Sequence, residues 1–265
     1  MIPAFRLELR RGAMLVIWVS VVSMAYAGFI MLFYPTMIEN AAAFEQMLEV
    51  YPKELMAAFG INGSLFDPGT FINSYVFQFL WPLVAAVAGI ILATRVAADA
   101  DSGFLDLPLS SRLPRVRYLG ASIVAQIASL AVIAALTIGS IVAVDLLIEP
   151  DFDTGRLALA GFHAFAMAAA IAGVSSALAV ILLDRGKAGG LAAGILILMY
   201  LLNVIAQLSP DFRETARLSA FHYFDLSEVI DTGVYPVVDT TIFLVTAALG
   251  WLLALWVFRR RDLAA

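Results

Sequence analysis

The chain has no cysteine and only two histidines, His163 and His222. The first absence excludes disulfides, thiolate metal sites and thiol catalysis. The second leaves little from which to build a histidine metal centre, and no metal site is expected. Charge is scarce too. Asp, Glu, Lys and Arg make up 14% of the 265 residues, against about a quarter in soluble domains. The net charge of −5 argues against nucleic acid as a partner. No GxxxxGK[ST] loop is present, so the chain cannot itself cradle ATP phosphates. HExxH and paired intramembrane aspartates are lacking as well. An intramembrane protease or lipid transferase needs such a set, so no catalytic residues are assigned.

What is there is apolar: 62% of the residues are hydrophobic. The expected fold is an all-α polytopic membrane protein, one transmembrane domain over 1–265 with six helices. They are expected at about 13–34, 71–94, 118–148, 157–183, 188–208 and 236–258. The first, at about 1.5 Å per residue, reaches about 33 Å, enough to cross. Pro82 is expected to kink the second.

The polar stretches between them are patterned. Before the first span, PAFRLELRRG alternates Phe5, Leu7 and Leu9 with Arg6, Glu8, Arg10 and Arg11. That predicts a short helix lying on the membrane surface. Pro35–Thr70 is acidic, with apolar residues at helical spacing, and predicts one or two amphipathic helices at the outer interface. Ser209–Tyr235 is polar, with a helix expected through Arg213–Ile230. The most patterned stretch is Ala97–Gly120. It runs from acids (Asp99, Asp101, Asp106) through an apolar patch (Phe104, Leu105, Leu107, Leu109) to bases (Arg112, Arg115, Arg117). It reads either as a compact element that docks onto something in the cytosol or as a solvated loop whose arginines fix topology.

Orientation follows from Lys and Arg. With the N-terminus inside, the inner segments hold Arg6, Arg10, Arg11, Arg95, Arg112, Arg115, Arg117, Arg185, Lys187, Arg259, Arg260 and Arg261, 12 of the 16. The outer loops hold Lys53, Arg156, Arg213 and Arg217. The positive-inside rule places both termini in the cytoplasm.

Three features carry a resemblance to the permease subunits of ABC-2 type ATP-binding-cassette exporters. PAFRLELRRG resembles that family's elbow helix. SGFLDLPLSSRLPRVRYLGASIVA (Ser102–Ala125) resembles its Gly, apolar–acidic run, Leu-x-x-Pro/Ser-x-x-Arg and basic lead into the third span. The closing FRRRDL (Phe258–Leu263) resembles the family's end. One departure is AADADS before Gly103, acidic where members carry an Arg/Glu-rich run. The resemblance implies a half-transporter in a prokaryotic inner membrane, without its own motor and not an enzyme by itself. Two cytoplasmic ATPase subunits, holding the ATP and Mg, and a second permease chain, identical or homologous, complete it. No cofactor is expected on this chain. It also implies a coupling helix between spans two and three, for which Asp101, Phe104, Leu105, Asp106, Leu107, Leu109 and Arg112 are the candidate ATPase contacts.

Asn73, Gln78, Asn203 and Gln207 lie near the outer ends of their spans and either line a substrate path or bond helix to helix. Asp145, His163 and Asp239 sit near outer ends, where a structural role competes with function. Ser175 and Ser176 among Ala and Gly point to close packing. An apolar lining suits a hydrophobic or amphipathic cargo, beside contacts with membrane lipid. The residues equally allow a scaffold or sensor that transports nothing.

Overall fold

Inside a bilayer the backbone has no water to bond, so spanning segments must satisfy their own N–H and C=O groups. The computed structural model describes residues 2–48, 50–52, 56, 64–102, 114–148 and 152–260, and among these all regular structure is helical. Among the described residues, six helices are long and apolar enough to cross a membrane. They are Ile2–Glu39, Pro68–Asp101, Arg115–Ile148, Thr154–Leu182, Arg185–Leu208 and Val237–Arg260. This is an integral, multi-pass architecture. Six crossings bring the first and last spans' free ends to the same end of the bundle, here the basic end.

Two sequence expectations fail along the first span. The N-terminal segment is not a separate helix, because Ile2–Glu39 is continuous. Its charges have partners on the second span, as described below, so the chain has no need to turn along the surface. At the far end, Pro35 does not stop the helix. A proline removes one backbone bond, but here Tyr34 anchors the last turns by donating to the Phe66 carbonyl at 2.8 Å. Beyond Glu39, Ala41–Leu48 forms a short helix within the stretch where the pattern predicts one or two.

Pro82 acts on the second span in an unexpected way. In an α-helix its ring would press on the carbonyl of Gln78, four residues back. The chain avoids this by winding Asn73–Leu80 as π-helix, with the N–H of Trp81 bonded to Val76. The α-helix resumes over Trp81–Ala93.

The bundle has a clear centre. In the most apolar stretch of the fourth span 72% of residues are buried, and in the second 61%, against 17% in the fifth. The fourth span is a run of small residues, so neighbours come close. It meets the sixth at Gly173 and Gly250, where a Cβ on Gly250 would stand 2.4 Å from the backbone of Gly173. Only glycine fits both sides of that crossing. The first and third spans pack together along their length, the second packs chiefly on the fourth, and the third also meets the fourth directly.

The outer segment after the fifth span is the third correction. In place of one helix through Arg213–Ile230 it forms 3₁₀ turns at Pro210–Leu218 and Ala220–Tyr223, then a short helix at Ser227–Thr232. Tertiary contacts decide this, since Phe221, Phe224, Leu226, Val229 and Ile230 are all buried against the span ends.

Candidate functional sites at the two ends of the bundle

At the basic end, three spans are tied by one charged cluster. Asp99 lies in the last turns of the second span and is 2% exposed. Its carboxylate takes both guanidinium nitrogens of Arg11, one at 2.8 Å. It also accepts from the Tyr118 hydroxyl at 2.6 Å. Arg11 reaches back to Glu8, also buried, at 3.2 Å. Arg95 closes the cluster by donating to the backbone carbonyls of Glu8 and Arg11. The first span is thereby fixed to the second, and the second to the start of the third. Asp101, two residues on, accepts from the backbone N–H of Arg185 at 3.1 Å and adds the fifth span. Both flanks of residues 103–113 are therefore held by helices that pack on one another.

The acidic AADADS run acquires a physical reason here. Asp99 answers Arg11 across 88 positions of sequence. Of the proposed ATPase contacts, Asp101 is exposed at the end of the second span. Phe104, Leu105, Asp106, Leu107, Leu109 and Arg112 lie outside the described residues.

The opposite end holds a second polar constellation. Bonding each N–H five residues back sets residues five apart within about 50° of each other, whereas an α-helix would set them about 140° apart. Asn73 and Gln78 thus share a face, and both grip the outer segment. Asn73 donates to Asp225 at 3.0 Å and accepts from the N–H of Leu226 at 2.9 Å. Gln78 donates to the carbonyl of Phe224. His163, fully buried on the fourth span, donates from Nε2 to the carbonyl of Tyr223 at 3.1 Å. Its Nδ1 faces the Thr240 hydroxyl at 2.7 Å, and its ring stacks on Phe224. Gly69, at the start of the second span, donates its N–H to Asp231 at 2.8 Å. Arg156 donates to the carbonyls of Ile230 and Asp231. Burial raises the Asp231 carboxyl above its ordinary range, with nearby Asp67 acting in the same direction.

These groups form a latch of hydrogen bonds from spans two and four to backbone and side chains of residues 223–231, with Thr240 of the sixth span backing His163. The four candidate path residues do not form one set. Asn73 and Gln78 belong to the latch, while Asn203 and Gln207 stand on the fifth span, buried and half-buried. Asp145 is buried on the third span, and Asp239 is half-buried in the first turn of the sixth. Ser176 donates to Gln126, which also takes the indole of Trp251, so it joins spans three, four and six. Sequence reasoning missed the Glu8–Arg11–Asp99–Tyr118 cluster. Its only signal was ionisable residues at the very ends of apolar runs.

Chemically, the Thr240 hydroxyl beside His163 is buried with it and also bonds Tyr235 and the Pro236 carbonyl, so the contact ties helices together. Among the described residues no group of three or more His, Asp or Glu stands close enough to hold a metal ion. What the contacts do is fasten spans to one another at one end and the segment after the fifth span to the span ends at the other. Compared with known proteins, the chain matches no family model and no curated protein.

Proposed function

We propose that the chain is the membrane-spanning subunit of an ATP-driven exporter of the ABC-2 type. It works as a pair of such subunits with two separate cytoplasmic ATPases, in a prokaryotic inner membrane with both termini inside. The cargo is hydrophobic or amphipathic. Residues 101–113 are the docking element, with Phe104, Leu105, Leu107 and Leu109 as apolar anchors and Asp106 and Arg112 as the polar rim.

The observation that carries this reading is the junction on which that segment stands. A motor bound to a loop moves spans only if the loop's roots are stiff. Here the roots are the Arg11–Asp99–Tyr118 cluster and the Asp101–Arg185 bond, which join spans one, two, three and five. The resemblance of Ser102–Ala125 to the family's coupling region supports the same reading.

The test is substitution in the docking element. Phe104→Ala, and Leu105→Ala with Leu107→Ala, should leave the chain inserted but weaken ATPase co-purification. Loss of an interface anchor costs about 2 kcal/mol or more, about thirtyfold in affinity. Arg115→Ala and Arg117→Ala should be milder, since their proposed task is to hold the inner interface and a charge exposed as Arg117 is contributes about 1 kcal/mol or less. ATPase binding and coupled transport at normal levels in the apolar variants would reduce the segment to a spacer.

A further inference from the structure

A cavity of about 220 Å³ opens between spans four, five and six. Its floor is the middle of the fourth span, at Ala170, Val174 and Ser175, where small side chains leave room. One wall is the fifth span around Ala192 and Leu196, and the other is the sixth around Phe243. The turn Leu218–Tyr223 roofs it. The fifth and sixth spans each pack along the fourth and make little contact with each other, which is why the gap exists.

Two features define its contents. The lining is almost wholly carbon, and two of its few hydroxyls are engaged elsewhere. Ser219 donates to the Met199 carbonyl and Tyr223 to that of Arg217. Water needs two to four polar partners, and apolar cavities of about 150 Å³ stay dry and take up apolar molecules. The second feature is depth. Positions 170–175 and 192–199 are mid-span, and Ile242 of the lining, on the sixth span, is 37% exposed. An empty void there forfeits dispersion contacts on every wall. Lipid tails beside it are the nearest matter that fits.

We propose that this cleft is a binding site for a single alkyl chain, entering from the membrane between spans five and six. The site does not depend on the transport reading. It binds a chain whether that chain belongs to a resident phospholipid or to a single-tailed amphiphile.

The experiment is photolabelling of the intact chain in nanodiscs, with sites mapped by peptide mass spectrometry. One arm uses a phosphatidylcholine with a diazirine in mid-chain, and the other a diazirine-bearing fatty acid at low mole fraction. Label should concentrate on Val174, Leu196 and Phe243 relative to Leu249 and Leu252, which are exposed on the sixth span. Labelling from the phospholipid identifies a bilayer tail as occupant, and labelling from the fatty acid alone identifies a free amphiphile. Ala192→Phe should abolish label in the lining and leave it on Leu249 and Leu252. Should that variant not fold, Ala170→Leu fills the floor more gently and should give the same loss. Lining residues labelled no more than Leu249 and Leu252, or label that persists in a folded, filled variant, would overturn the proposal.

Discussion

Arg11→Met tests the junction at the basic end. The change keeps an unbranched apolar stem and removes the charge. Asp99 and Glu8, 2% and 3% exposed, then face each other without their shared guanidinium. Breaking a buried ion pair from one side costs about 3–5 kcal/mol, because a charge is left without its partner. Arg11 is itself a third exposed, so the low end, about 3 kcal/mol, applies. For a chain of this size that lowers Tm by roughly 6–12 °C. Thermal unfolding of the purified protein, followed by tryptophan fluorescence, reads it directly. Adding Asp99→Asn removes the stranded charge while leaving an acceptor for Tyr118. The double variant should therefore lose less than Arg11→Met alone, with a coupling of about 1–3 kcal/mol. An unchanged Tm in Arg11→Met, or a double variant whose loss equals the sum of the singles, would refute the claim that these residues lock three spans together.

The remaining expectations concern the core and the latch. Gly250→Ala places a Cβ 2.4 Å from the Gly173 backbone, and Gly173→Ala one 2.5 Å from the Ala247 carbonyl. Each should cost about 1–3 kcal/mol or more by forcing spans four and six apart, seen as lower Tm and yield. Gln78→Leu and Asn73→Leu leave Phe224 and Leu226 backbone groups without partners, at about 1–3 kcal/mol each. Faster amide exchange over 219–233 with unchanged exchange in the fourth span is the expected readout, and uniform exchange would argue against a separable latch. Asp231 has its carboxyl pKa raised by burial, so its contribution is fully present below the ordinary carboxylate value and is lost as pH rises through the raised one. The latch should therefore protect 219–233 better in acid, and Asp231→Asn should flatten that dependence.

Hydropathy located all six spans but trimmed most of them. It reads where side chains turn polar, whereas a helix continues as long as its backbone bonds do. The first span shows the difference, running from Ile2 to Glu39 where the apolar run is 13–34. Pro82 was legible as a disturbance, but not its form. A kink and a π-helical stretch relieve the same clash, and only the packing of Asn73 and Gln78 onto residues 224–226 selects the second. Long-range pairs were not legible. Nothing local to Arg11 points to Asp99, and nothing local to His163 points to Tyr223 or Thr240. The polar amides near the outer ends were visible as candidates, yet their grip on backbone in a distant loop depends on how that loop folds back. The 3₁₀ turns there have no periodic signature, because buried aromatic residues and caps such as Ser219, rather than propensity, hold them.

The central claim is that the chain is half of a machine whose motor is a separate protein. Native mass spectrometry of the tagged chain, extracted gently from the membranes in which it is made, tests this most directly. The expected result is a complex of two membrane-spanning chains with two ATPase chains that hydrolyses ATP, and loss of the ATPases in the Phe104→Ala variant. A stable, functional monomer with no ATPase attached would contradict it.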